Sequence, residues 1–222
     1  MNSMIYELPL FPLNTVLFPG MPLTLHIFEE RYQTMITQCL DDQRPFGVVL
    51  IKEGVEALGP LAEPHAIGCT AEIAQVQSLE DGRMNILAVG RERFQIVSLH
   101  DDRPYLRGTV ETFPLETAHG DAHQAGTRLR PWVESYVGLL SEAGDVDFDT
   151  SSLPDDPEAL AYLAATVLQV PNEQKQALLA TRGVLPMLTA MHDIFRREMP
   201  ILRLLLQEHA ALPGGAASFS LS

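Results

Sequence analysis

Lysine is nearly missing from this chain, with two in 222 residues, Lys52 and Lys175. Neither follows a glycine, so no Gly-x-x-x-x-Gly-Lys-Ser/Thr loop is present to cradle a nucleotide phosphate. Cysteine is equally scarce. Cys39 and Cys69 cannot by themselves supply the four ligands of a structural zinc site. In a reducing compartment they read as two small buried hydrophobes. Basic charge is short overall, with 15 Lys and Arg against 29 Asp and Glu and a net charge of −14. Nucleic acid and anionic membrane both require clustered cations, so both are disfavoured as partners. No apolar run approaches the ~20 residues that cross a bilayer. The N-terminus lacks the basic-then-apolar order of a secretory leader, and the cytoplasm is the expected compartment.

Hydrophobic residues make up 46% of the chain, enough for one large core or two smaller ones. The opening, Leu8-Pro9-Leu10-Phe11-Pro12-Leu13-Asn14-Thr15-Val16-Leu17-Phe18-Pro19-Gly20, is apolar yet too rich in proline for a helix. It predicts a buried extended segment along a sheet edge, with Pro19-Gly20 as a turn. Leu23–Ile27 reads as a strand leading into a helix over 29–40. Short strands follow at 46–51, 69–79, 84–89, 94–99 and 105–113. The hairpin signal Asp81-Gly82 sits between the second and third of these, and a bend is expected at Gly90. After a junction at about 114–127 the period changes to helical. Leu129, Trp132, Val133, Tyr136, Val137 and Leu140 share a face, as do Leu160, Leu163, Ala164, Val167 and Leu168. Asp156-Pro157 starts the second of these helices, and Pro171-Asn172 ends it and caps another through Leu179. A final helix begins near Pro186 and should kink or split at Pro200. The expected class is α+β. Residues 1–117 form a β-barrel-like domain, 118–212 a helical bundle, and 213–222 a small polar tail.

Two stretches invite a metal. His119-x-Asp121-x-His123 combines imidazole and carboxylate, but it lies in the junction without an obvious fourth ligand. Asp145-x-Asp147-x-Asp149 resembles a calcium loop, but Thr150 stands where the sharp turn requires glycine. Both read better as solvated loops, and no metal or cofactor is expected. His26 and His192 pair with no nucleophile in any motif and read as structural histidines. Arg91 and Arg93 alternate with Glu92, which would project both arginines to one face. They are either structural ion pairs or, with Arg107, the lining of a ligand groove.

Several segments together resemble the Lon substrate-binding domain family. They are the proline-rich opening, Gly68-Cys69-Thr70-Ala71-Glu72-Ile73, Leu87-Ala88-Val89-Gly90-Arg91-Glu92-Arg93-Phe94-Gln95-Ile96, and Pro171-Asn172-Glu173-Gln174-Lys175-Gln176-Ala177-Leu178-Leu179. The resemblance runs over about residues 5–200. It implies a PUA-like β-barrel followed by a helical bundle, and binding of unfolded or partly exposed polypeptides, or of a protein partner. Full-length Lon proteases add an ATPase module and a serine–lysine protease, and this sequence has neither the phosphate loop nor a lysine placed for such a dyad. The expectation is a non-enzymatic binding protein. A small-molecule or RNA binder using the barrel is the second reading, and it needs an electropositive cleft at Arg91, Arg93 and Arg107. A metal-dependent hydrolase built on His119, Asp121 and His123 is the third.

Overall fold

A computed structural model describes residues 4–56, 62–116, 121–142 and 153–211. The chain divides into two compact units, Met1–Pro114 with Leu168–Arg182, and Leu115–Val167 with Gly183–Ser222. Among the described residues, no helix is long and apolar enough to cross a membrane.

The first unit is a mostly antiparallel seven-stranded sheet with helices. Its strands are β1 (Ile5–Leu13), β2 (Pro22–Ile27), β3 (Phe46–Glu53), β4 (Glu63–Pro64), β5 (Ile67–Ser78), β6 (Met84–His100) and β7 (Arg107–Thr112). The order is β1-β7-β6-β5-β3-β4, and β2 pairs with β6. A parallel pairing of β1 with β3 returns the path to its start.

The proline-rich opening is an extended strand, as expected, and it pairs on one side at a time, changing partner midway. Ile5–Pro9 pairs with β7, and Leu10–Leu13 pairs with β3. The amide of Leu10 donates to Leu106 O, and Met4 O accepts from Thr112, so the even-numbered backbone groups face β7. Pro9 therefore turns its missing N–H away from β7, before β3 has joined. Pro12 turns its own toward β7 after that ladder has ended. From Leu8 to Leu13 both faces of β1 are buried, which explains the unbroken apolar run there. Leu8 and Leu10 enter a cluster with Val49, Phe94, Leu106 and Val110. Phe11 and Leu13 enter another with Phe46, Val48 and Ile86. That second cluster is covered by α1 (Glu30–Asp41), whose Tyr32, Met35, Ile36 and Cys39 fall at helical spacing on one buried face. The Tyr32 ring stacks on Phe11 at 4.0 Å. Each such large side chain contributes about 1.5–3 kcal/mol by leaving water.

The turn expected at Pro19-Gly20 is formed. Met21 N–H donates to Phe18 O, and Gly20 holds a φ of 81° that favours glycine. The β5–β6 hairpin turns through Glu80–Gly82, with Asp81 and Gly82 both at positive φ.

The second unit contains α2 (Asp121–Glu142), α3 (Pro157–Val167) and α5 (Val184–Ala211). Asp156 caps α3 by accepting from the Ala159 amide at 2.8 Å. Helix α2 begins well before the first large apolar residue, inside the stretch expected to be junction. Its first turns bury Ala122 and Gly126, and a side chain at Gly126 would meet Pro157 and Leu160. Contact through small residues carries no hydrophobic period. Helix α5 runs through Pro200 as one helix rather than two.

The helix α4 (Asn172–Leu179), expected among the later helices, groups with the sheet. Two buried side chains account for this. Gln176 Nε2 donates to Ile67 O, and Arg93 reaches the carbonyls that end α4.

Candidate functional site

The arginines singled out in the sequence do not converge. Strand β6 takes three steps from Gly90 to Arg93 against two on β5, because Ala71 pairs with Gly90 and Cys69 with Arg93. The extra residue breaks the alternation. Arg91 and Glu92 are therefore exposed, while Arg93 and Phe94 are both buried. Arg91 pairs with Glu72 at 2.7 Å. Arg93 donates from Nη1 to Leu179 O and Thr181 O, each at 2.6 Å, and lies over the Phe113 ring. Arg107 binds Asp102 at 2.9 Å and also Glu7. These partners neutralise or bury all three, and no shared cationic cleft results.

Of the metal candidates, Asp121 and His123 lie in the first turn of α2, where a spacing of two does not put side chains on one face. His119 and the Asp145–Asp149 stretch lie outside the described residues. No cluster of three metal-ligating side chains occurs among the described residues.

A groove of about 940 Å³ does form in the first unit, at the end of the sheet where β1 and β3 begin. It is lined by Met4 and, in β1, Tyr6, by Cys39 and Leu40 of α1, Gln43, Arg44 and Pro45 before β3, and Thr70, Glu72 and Ile73 of β5. Arg91 and Glu92 of the β6 bulge complete it. Tyr6 is half-buried, and its phenol is pushed above its ordinary value by burial first and then by the charges of Glu92 and Cys69. The Cys39 thiol is pushed up to about 11 and that of Cys69 to about 12, in both cases chiefly by burial. Protonated thiols of this kind are inert rather than nucleophilic. Arg44 turns its guanidinium to Glu7 O at 2.9 Å. Thr70 is buried, and its hydroxyl accepts from the Glu92 amide. Among the described residues no ion pair involves Glu92.

Strand edges flank this groove. Strand β3 begins at Phe46, opposite Ala71, so among the described residues β5 from Glu72 to Ser78 has β6 on one side only. Nearly all of that stretch is exposed. Across the groove, β1 over Ile5–Pro9 has β7 alone. It is the poorer edge, because Glu7 O already accepts from Arg44 and Pro9 has no N–H. An unpaired edge beside a groove can take an extended segment as a further strand. Sequence reading missed this feature, since the offset of β3 against β5 is a matter of register. The one local signal was Glu92 inside the Arg-x-Arg-Phe motif.

Comparison with known proteins gives a consistent family. The model of the ATP-dependent protease La (LON) substrate-binding domain matches residues 7–197. A Lon protease of Paraburkholderia phytofirmans is 30% identical over 193 residues, covering 86% of this chain and 24% of that protein. Lon protease 2 of Myxococcus xanthus is 26% identical over 210 residues, covering 93% of this chain and 25% of that protein. The chain thus spans about a quarter of the length of these relatives. Among solved structures, the Lon N-terminal domain protein from Xanthomonas campestris aligns with a TM-score of 0.62 at 24% identity, over 85% of this chain and 98% of that one. The N-terminal domain of a Mycobacterium avium complex Lon protease aligns at 0.67 and 19%, over 86% and 98%. By the extent of the family match and the agreement in fold, this chain belongs to the Lon substrate-binding domain family.

Proposed function

We propose that this chain is a non-catalytic recognition protein that holds unfolded or partly exposed polypeptide by taking an extended segment along the free edge of β5. The observation that carries this reading is the groove at Tyr6, Thr70 and Glu92 running into an edge of seven residues, Glu72–Ser78, paired on one side only. Main-chain hydrogen bonds to such an edge tolerate many sequences, which suits a domain that must accept varied clients. The strand path that returns to its start suits the PUA-like barrel of the family, and α2, α3 and α5 suit its helical bundle. The matched region is the substrate-binding part of proteins named as proteases, and the groove's own thiol at Cys39 stays protonated, so the reading is one of binding without chemistry. The arginine placements give no support to the RNA alternative.

Titration of labelled reduced casein, followed by anisotropy, tests this directly. The expected result is saturable binding with Kd on the order of micromolar, retained when salt is added. A strand-forming peptide methylated on alternate backbone nitrogens should bind at least about tenfold more weakly than its parent, because it can no longer donate to a strand edge. Absence of casein binding up to high concentration, or equal binding of the methylated peptide, contradicts the proposal.

A further inference from the structure

Resting on that reading, the geometry points to a preference within it: we infer that Glu92 selects client segments carrying a lysine or arginine. The groove holds two cations and two carboxylates. Arg91 is bound to Glu72 at 2.7 Å, and Arg44 is bound to Glu7 O at 2.9 Å. Arg44 thus spends its donor on a backbone carbonyl, and of the two groove carboxylates Glu92 is the one with no ion-pair partner among the described residues. The backbone on either side of Glu92 is fixed, because its amide donates to buried Thr70 and the next residue, Arg93, is anchored. A positioned carboxylate beside a half-buried tyrosine is matched by an ammonium or guanidinium group, whose charge-assisted bonds are stronger than neutral ones. The net charge of −14 acts in the same direction by drawing basic segments toward the surface.

Charge also distinguishes the occupant. A second copy would present its own β5 edge, Glu72-Ile73-Ala74-Gln75-Val76-Gln77-Ser78, which carries a carboxylate and no cation. The chain's last ten residues, 213–222, contain no cation either. A foreign extended segment with a basic side chain fits the groove better than either.

The experiment uses three labelled peptides of one strand-forming sequence, with lysine, norleucine or glutamate at the central position, against the full chain. The lysine peptide should bind about tenfold more tightly than the norleucine peptide, and the glutamate peptide most weakly. Glu92→Gln should abolish the lysine–norleucine difference. Glu142→Gln, an exposed change of the same charge in the second unit, should preserve the difference. If casein and all three peptides bind equally well, the preference is wrong and the recognition reading stands. If neither casein nor any peptide binds, both fail. Dimerisation that excludes peptide would assign the edge to a second copy and overturn the preference.

Discussion

Gly90→Ala is expected to unfold the first unit at a temperature about 10 °C below the parent, a loss of about 3 kcal/mol. A Cβ built on Gly90 would lie 2.1 Å from Phe18 O and 3.1 Å from Leu17 Cγ. The oxygen cannot simply withdraw. It accepts from Met21 within the Pro19-Gly20 turn, and that turn is stitched to Gly90 by two hydrogen bonds, Gly20 N–H to Gly90 O and Gly90 N–H to Met21 O. One methyl therefore breaks a turn, or displaces the strap that buries Val16, Leu17 and Phe18. The thiols of Cys39 and Cys69 give the readout, since both are buried in the first unit and react with a thiol reagent only when it opens. Gly138→Ala supplies the opposite sign. Nothing lies within 4 Å of its Cβ position inside α2, so alanine should stabilise the second unit by about 0.5–1 kcal/mol. The only tryptophan, Trp132, reports that unit. Early thiol exposure in Gly90→Ala with unchanged Trp132 melting is the predicted pattern. Wild-type thiol protection in Gly90→Ala contradicts the close packing.

Arg93→Met should release α4 from the sheet, at a cost of about 3 kcal/mol. The guanidinium is 2% exposed and one of its nitrogens serves two carbonyls at the C-terminal end of the helix, where a cation also meets the negative end of the helix dipole. Methionine fills the volume and leaves those carbonyls unpaired. Trypsin provides the test, because Lys175 and Arg182 both lie in the segment that Arg93 fastens. The variant should be cut at these two sites faster than the parent by tenfold or more, on the order of the population opened by that energy. Arg93→Lys should protect only in part, since an ammonium lacks the planar fork. Arg91→Ala should change stability by less than about 0.5 kcal/mol, because its pair with Glu72 is more than half exposed. Equal cutting of Arg93→Met and the parent would show that the segment is held by other contacts.

These two arginines show where sequence reading ends. Their motif is visible, and alternation assigns both to one face. A single inserted residue in β6 sends one to solvent and one to the core, and that insertion depends on the register of β5 against β6. Features set by local chemistry were legible, including the Pro19-Gly20 turn, the Asp81-Gly82 hairpin, the Asp156 cap and the helix that follows β2. The start of α2 was not, because Ala122 and Gly126 pack by smallness. The groove was legible only in its pieces. Tyr6, Thr70 and Glu92 are 22 to 86 positions apart in sequence, and the late start of β3 leaves the edge beside them free.

Hydrogen exchange of the full chain with and without saturating reduced casein tests the central claim most directly. The amides of Glu72–Ser78 should become protected in the complex, with smaller protection at Met4–Tyr6 across the groove. Saturable binding that protects some other surface and leaves β5 exchanging as in the free chain would contradict it.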